Sequence, residues 1–126
     1  MFIISVEKSF TASHQLVFPD GSKETPHDHN WVVIVKISGN KLDNIGLVMN
    51  FHDLKAILEN ILTPLSNVSL NSLKYFKENV PSAENVAKYI FNKLESRLQE
   101  KAKLEKVIVE EEPGCTVEYY NSQDDF

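Results

Sequence analysis

Two alternating runs constrain the fold of this chain more than any other feature. Between residues 2 and 14, Phe2, Ile4, Val6, Phe10, Ala12 and His14 fall on one side and Ser5, Glu7, Ser9, Thr11 and Ser13 on the other, the period-two pattern of a half-buried strand. After a turn-rich stretch from Pro19-Asp20-Gly21-Ser22 to Pro26, a second run puts His27, His29, Trp31, Val33, Val35 and Ile37 on one face. The first strand therefore ends in a histidine and the second begins with two. If the strands pair as a hairpin, the loop joins those ends. Residues two apart on a strand project to the same side, so the three imidazoles then face one point.

The rest of the chain supplies helices and a second pair of strands. Asn50 followed by Asp53 resembles an N-capping pair, and Phe51, Leu54, Ile57, Leu58, Ile61 and Leu62 recur at helical spacing, which predicts a helix over roughly 51–63. A polar loop with Ser66, Asn67, Ser69 and Asn71 leads to Pro81-Ser82. There Ser82 is expected to cap a second helix carrying Val86, Ile90, Leu94 and Leu98, as far as about residue 100. Val107, Val109 and Glu111 share a face of a third strand, Pro113-Gly114 marks a turn, and Thr116 to Tyr120 suits a fourth. The order is ββααββ with no βαβ alternation. This predicts an α+β fold, a four-stranded antiparallel sheet with two helices on one face, as a single domain over 1–120 with a flexible tail at 121–126.

Composition narrows the function classes. The 126 residues are about one domain's worth, and 42% hydrophobic with 25% charged residues argues against disorder and low-complexity repeats. A formal net charge of -5 gives no overall footprint for nucleic acid or an acidic membrane surface. The longest apolar run, Trp31 to Val35, falls far short of the ~20 residues a membrane-spanning helix needs. The first residues lack a basic segment and a long apolar one, so no secretory signal is expected and the cytoplasm is the default location. Cys115 is the single cysteine. A metal site must therefore rest on histidine and carboxylate rather than on thiolates.

Three histidines with an open fourth position form a catalytic zinc arrangement, in which the vacant position takes water or substrate. One such histidine alone reads as a satisfied core or surface residue. Three of the chain's four at one end of one sheet shift the reading toward metal. Glu111 is the second anomaly, because it follows Val107 and Val109 on a face that should be buried, where a carboxylate needs donors. Within Glu110-Glu111-Glu112 it also reads as a solvated edge carboxylate, and spacing alone favours that reading.

Five segments in order resemble the family of 6-pyruvoyl-tetrahydropterin synthase and the related carboxy-tetrahydropterin synthase of queuosine biosynthesis. Phe10-Thr11-Ala12-Ser13-His14 is similar to F-x-A-x-H, and His27-Asp28-His29-Asn30 to H-G-H-N, with Asp28 for Gly. Gly46 to Lys55 resembles G-x-x-x-D-F-x-x-L-K, with Asn50 for Asp. Pro81-Ser82-Ala83-Glu84-Asn85 resembles P-T-A-E-N, and Val109 to Pro113 resembles V-x-E-T-P. The resemblance implies a tunnelling fold whose subunits assemble into barrels as a homotrimer or homohexamer, and open sheet edges suit such pairing. It implies Zn²⁺ held by His14, His27 and His29. It also implies a small-molecule pterin bound by Glu111 through its ring N–H groups, with Ser82 nearby, so that Glu111 is a binding group rather than a solvated one. Neither nucleic acid nor membrane is an expected partner.

The departures from the family pattern decide the reaction. Where the synthases carry a catalytic cysteine ahead of H-G-H, this chain has Lys23 and Gly21, and Cys115 is not its equivalent. The family's L-D-H-x-x-L-N reads Leu65-Ser66-Asn67-Val68-Ser69-Leu70-Asn71, so both members of the Asp-His pair are replaced. Glu24-Thr25-Pro26-His27-Asp28-His29 resembles the E-x-x-H-G-H of a subgroup in which Glu stands in for the Cys, forming 6-hydroxymethyl-7,8-dihydropterin for folate synthesis. The pattern alone leaves a solvated loop carboxylate equally open for Glu24. The expectation is a zinc-dependent lyase acting on 7,8-dihydroneopterin triphosphate or a close relative, with Glu24 moving the proton. The alternative is a non-catalytic zinc- or pterin-binding homologue.

Overall fold

The computed structural model describes residues 1–98 and 102–122. Strands β1 (Phe2–His14) and β2 (His27–Gly39) pair antiparallel along their whole length, from Phe2 against Gly39 to His14 against His27. The period-two pattern sets which face is buried: Val6, Phe10, Ala12, Trp31, Val33, Val35 and Ile37 all lie in the core. Lys8 shares this side. It remains near the rim and reaches Glu59 at 3.2 Å.

The chain then crosses the inner face in helices α1 (Phe51–Leu62), α2 (Lys74–Glu78) and α3 (Ala83–Glu95) before returning as β3 (Lys103–Glu112) and β4 (Cys115–Tyr119). The sheet is antiparallel with order β1-β2-β3-β4. Asn50 caps α1 by accepting the amides of His52 and Asp53, and Ser82 caps α3 by accepting the amide of Asn85 at 3.2 Å. Both helices bury an apolar stripe on the sheet, Leu54, Leu58, Ile61 and Leu62 from α1 and Val86, Ala87, Ile90, Phe91 and Leu94 from α3. Together they close one core.

Three elements differ from expectation. The second long helix does not reach residue 100: α3 stops at Glu95, where the last turn tightens so that the Arg97 amide bonds the Leu94 carbonyl. Residues 99–101 lie outside the described set, as do 123–126 of the expected tail; Asn121 reaches Glu95 through its amide at 3.3 Å. Inside the expected polar loop, α2 and two 3₁₀ turns (Thr63–Leu65 and Leu70–Ser72) form because Leu65, Leu70 and Phe76 each bury a side chain. In β3, a bulge opposite Lys36 and Ile37 lets Leu104 and Val107 both face inward despite their odd spacing. Beyond the bulge, Val107, Val109 and Glu111 keep the period of two that turns them toward the core face. Pro113-Gly114 makes the last hairpin, with Gly114 at φ +88°. Among the described residues no helix is long and apolar enough to cross a membrane.

Candidate metal and ligand site

The register that pairs His14 with His27 gathers the three imidazoles where β1 ends and β2 begins. His14, His27 and His29 each offer a ring nitrogen, and these atoms all lie within 4.8 Å of one another. Trp31 forms the floor. Its ring stands edge-on to His14 at 4.9 Å and to His29 at 5.6 Å between centroids, and its indole N–H donates to the Ala12 carbonyl at 3.1 Å. His14 is buried, His29 half-buried and His27 exposed, so the cluster grades from the core out to its mouth. His52 begins α1, at the opposite end of the hairpin: Gly39 pairs with Phe2 and lies against Val48, just before the helix.

The donor set suits a divalent cation. His14 Nδ1 lies 2.7 Å from the Pro81 carbonyl oxygen, which can only accept, so Nδ1 carries a proton, and in the neutral ring Nε2 then keeps the lone pair. His14 Nε2 and His29 Nε2 are both buried with no hydrogen-bond partner among the described residues. Glu111 Oε1 is 3.2 Å from His14 Nε2. In the neutral tautomer this sets two acceptors face to face, an arrangement that a cation beside them relieves. Neutral imidazole nitrogens backed by a main-chain acceptor are ligands of the zinc type.

Glu24 and Glu111 flank the cluster from different elements. The loop between β1 and β2 folds back on itself through a Val17–Lys23 bridge, with Gly21 at φ +87° at its tip. The Glu24 amide donates to the Leu16 carbonyl at 3.1 Å, and the Leu16 amide donates to Glu24 Oε1 at 2.8 Å. The same Oε1 lies 3.1 Å from His27 Nε2. Glu24 is therefore a fixed carboxylate, its side chain 29% exposed. Glu111 sits where the β3–β4 ladder shifts register between Glu110 and Glu112, with its side chain 25% exposed.

A cavity of about 290 Å³ adjoins Glu111, lined also by Ser82, Ala83, Leu16, Cys115 and Thr116. Glu111 and Ser82 thus share one cavity, although the Ser82 hydroxyl also caps α3. Partial withdrawal from water and the Glu112 carboxylate 3.7 Å away push the Cys115 thiol up, so it stays protonated and is a poor nucleophile. A larger cavity of about 690 Å³ opens between α2 and α3 against Tyr75, Phe76 and Tyr89, but none of the residues above lines it.

Ser66 and Asn67, at the positions where the resemblance implies an Asp-His pair, form local structure. Ser66 Oγ donates to the Leu62 carbonyl at 2.9 Å. Asn67 adopts φ +59°, a left-handed conformation that Asn tolerates better than most residues, and its amide bonds the Thr11 carbonyl. The Pro81 carbonyl escaped the sequence reading, because every residue carries one and its reach to His14 spans 67 positions. The Trp31 floor was legible only as a core position of β2.

Comparison with known proteins shows the family and the fold. A family model described as 6-pyruvoyl tetrahydropterin synthase matches residues 3–122. The human 6-pyruvoyl tetrahydrobiopterin synthase is 34% identical over 75% of this chain and 75% of its own length. The 6-carboxy-5,6,7,8-tetrahydropterin synthase of Haemophilus influenzae is 29% identical over 94% of this chain and 99% of its own. The solved structure of Caenorhabditis elegans 6-pyruvoyl tetrahydropterin synthase has a TM-score of 0.82 at 30% identity, covering 97% of this chain and 98% of that one. The fold is the tunnelling fold of pterin synthases. The chain belongs to the 6-pyruvoyl tetrahydropterin synthase family, and it is an enzyme of that family's lyase class.

Proposed function

We propose that this chain is a zinc-dependent lyase acting on 7,8-dihydroneopterin triphosphate or a close relative, with 6-hydroxymethyl-7,8-dihydropterin as the product. The observation that carries this reading is the Glu24–His27 contact of 3.1 Å, which brings a carboxylate from the preceding loop to the imidazole cluster in a chain with no cysteine there. His14, His27 and His29 would hold the zinc, which would lower the pKa of a side-chain hydroxyl as it lowers that of water. Glu111, at the wall of the 290 Å³ cavity, would accept N–H hydrogen bonds from the pterin ring and fix its orientation. Glu24 Oε1 accepts the Leu16 amide, which leaves Oε2 to take or return the substrate proton.

Copies of the chain would complete the site as a homotrimer or homohexamer. The unit's own cavity is at the small end for a pterin-sized ligand, and the edge strand β1 exposes Phe2 and Ile3. A cytoplasmic location and roles in folate or queuosine synthesis belong to the same proposal.

A second reading, a non-catalytic zinc- or pterin-binding homologue, draws support from Ser66 and Asn67, whose groups serve the turn rather than chemistry. Incubation of the zinc-loaded protein with dihydroneopterin triphosphate, with products read by mass spectrometry, decides between them. Hydroxymethyl-dihydropterin is expected. Pyruvoyl-tetrahydropterin would reassign the reaction, and unchanged substrate would favour the second reading.

A further inference from the structure

We propose that Asn71 is a positioning residue for His14: its side-chain amide locks the backbone one residue past the histidine and so sets where Nε2 stands in the imidazole cluster. The proposal rests on the metal-binding reading of that cluster. The ladder between β1 and β2 ends at the His14–His27 pair, so Gln15 has no strand partner there. Asn71 supplies the missing one. The Gln15 amide donates to Asn71 Oδ1 at 2.9 Å, and Asn71 Nδ2 donates to the Gln15 carbonyl at 2.9 Å. One planar amide thereby satisfies both main-chain groups, as a neighbouring strand would.

The clamp is the last rung of a longer contact. The Asn67 amide donates to the Thr11 carbonyl at 2.6 Å, the Ser13 amide donates to the Val68 carbonyl at 3.1 Å, and Ser13 forms a parallel bridge with Ser69. Residues 67–71 therefore run beside the end of β1 on the edge that β2 leaves open. Asn71 itself belongs to the 3₁₀ turn Leu70–Ser72, whose Leu70 is fully buried, so the clamp is anchored in the core. His14 is then held at three points: Ser13 before it, Gln15 after it, and Nδ1 on the Pro81 carbonyl. With the backbone fixed on both sides and the ring fixed at Nδ1, Nε2 has little freedom left. Holding a ligand in its bound position before the ion arrives raises affinity by removing an ordering cost.

The test measures zinc affinity by competition with a chromophoric chelator, together with thermal unfolding of the metal-free protein. Asn71→Ala removes both bonds. Asn71→Asp keeps the acceptor for the Gln15 amide but sets an oxygen against the Gln15 carbonyl. Asn79→Ala serves as the control, because Asn79 Nδ2 bonds the Tyr75 carbonyl at 3.0 Å, a bond that does not involve β1. Both Asn71 variants are expected to bind zinc about 10- to 100-fold more weakly, the usual effect of losing an outer support of a metal ligand, while Asn79→Ala binds as the native protein does. Native affinity in folded Asn71 variants overturns the proposal and leaves Asn71 a loop staple. A native protein that binds no zinc overturns the metal reading, and the proposal with it.

Amide exchange on the native protein covers the case of variants that do not fold. By reciprocity, if the clamp assists the ion then the ion must tighten the clamp. Zinc should slow exchange of the Gln15 amide more than that of the His52 amide, which Asn50 holds at the far end of the hairpin. Equal slowing at the two overturns the proposal.

Discussion

His14 Nδ1 donates to the carbonyl oxygen of Pro81 at 2.7 Å, tying the end of β1 to the residue that precedes the α3 cap, Ser82. The bond puts a proton on Nδ1, so in the neutral ring the buried Nε2 is free to ligate a cation. Replacement of His14, His27 or His29 by Ala is expected to give a folded, metal-poor protein in each case. The three should differ in stability. His14→Ala also strands a buried carbonyl, which costs about 1–3 kcal/mol, whereas the His27 side chain is 43% exposed. Elemental analysis reads the zinc and thermal denaturation the stability. Full zinc occupancy in all three single variants would sink the ligand assignment.

Trp31 is the only tryptophan, and its ring lies 4.9 Å from His14 and 5.6 Å from His29 between centroids. Its fluorescence should therefore report the cluster directly. Stepwise addition of Co²⁺ is expected to quench emission to a plateau at one ion per chain, and a chelator should restore it. Emission that stays flat through saturating cobalt would place the metal elsewhere.

How much of this was legible in the sequence depends on the range over which each signal acts. The hairpin and its histidines were readable because a strand's period of two carries the phase from Val6 to His14 and from Ile37 back to His27. The phase that turns Glu111 inward was readable only from Val107 onward, because the bulge hides it before that point. Helix α2 was not foreseen: five residues are too few to show a helical period, and no side chain caps its start. The end of α3 was misjudged because Leu98 continues the apolar spacing of Ile90 and Leu94, although the turn has already tightened at Arg97. Contacts such as Pro81 on His14 and Asn71 on Gln15 join residues 67 and 56 positions apart. No local pattern encodes them.

The loop that carries Glu24 should respond to acid through Asp20. The Ser22 hydroxyl and amide donate to the Asp20 carboxylate and hold its pKa below the ordinary 3.8. A carboxyl depressed in the folded state contributes its stabilisation fully above the unfolded value, and loses it as pH falls through the lower folded value. The amides of Gly21 and Ser22 should therefore lose exchange protection only below that ordinary value, and Asp20→Asn should remove the acid step. A carboxyl titration midpoint above 3.8 contradicts the assignment.

Glu111→Gln tests the ring anchor. The substitution keeps shape but replaces one acceptor oxygen by a donor facing the pterin N–H groups. Loss of a hydrogen bond to a charged group costs about 1.5–3 kcal/mol, which corresponds to roughly 10- to 150-fold in affinity. Calorimetric titration with a pterin should show that weakening. Native affinity in the variant would remove Glu111 from the binding role.

Glu24→Gln tests the proton carrier. Within the loop from Gln15 to Pro26 the acidic side chains are Asp20 and Glu24, and Asp20 is engaged by Ser22 at the tip. Glu24 alone among them touches the cluster, through His27 Nε2 at 3.1 Å. Gln preserves an oxygen for the Leu16 amide, so the loop should keep its shape while losing the ability to exchange a proton. General acid–base groups contribute about 10²–10⁴-fold in rate, and turnover should fall by that order while zinc content and pterin affinity persist. A rate matching the native enzyme would return Glu24 to the status of a loop residue and move the search for the proton carrier elsewhere. A native protein that holds zinc and pterin but turns nothing over would instead shift the weight to Ser66 and Asn67, which stand in the turn at the positions where the resemblance implies an Asp-His pair.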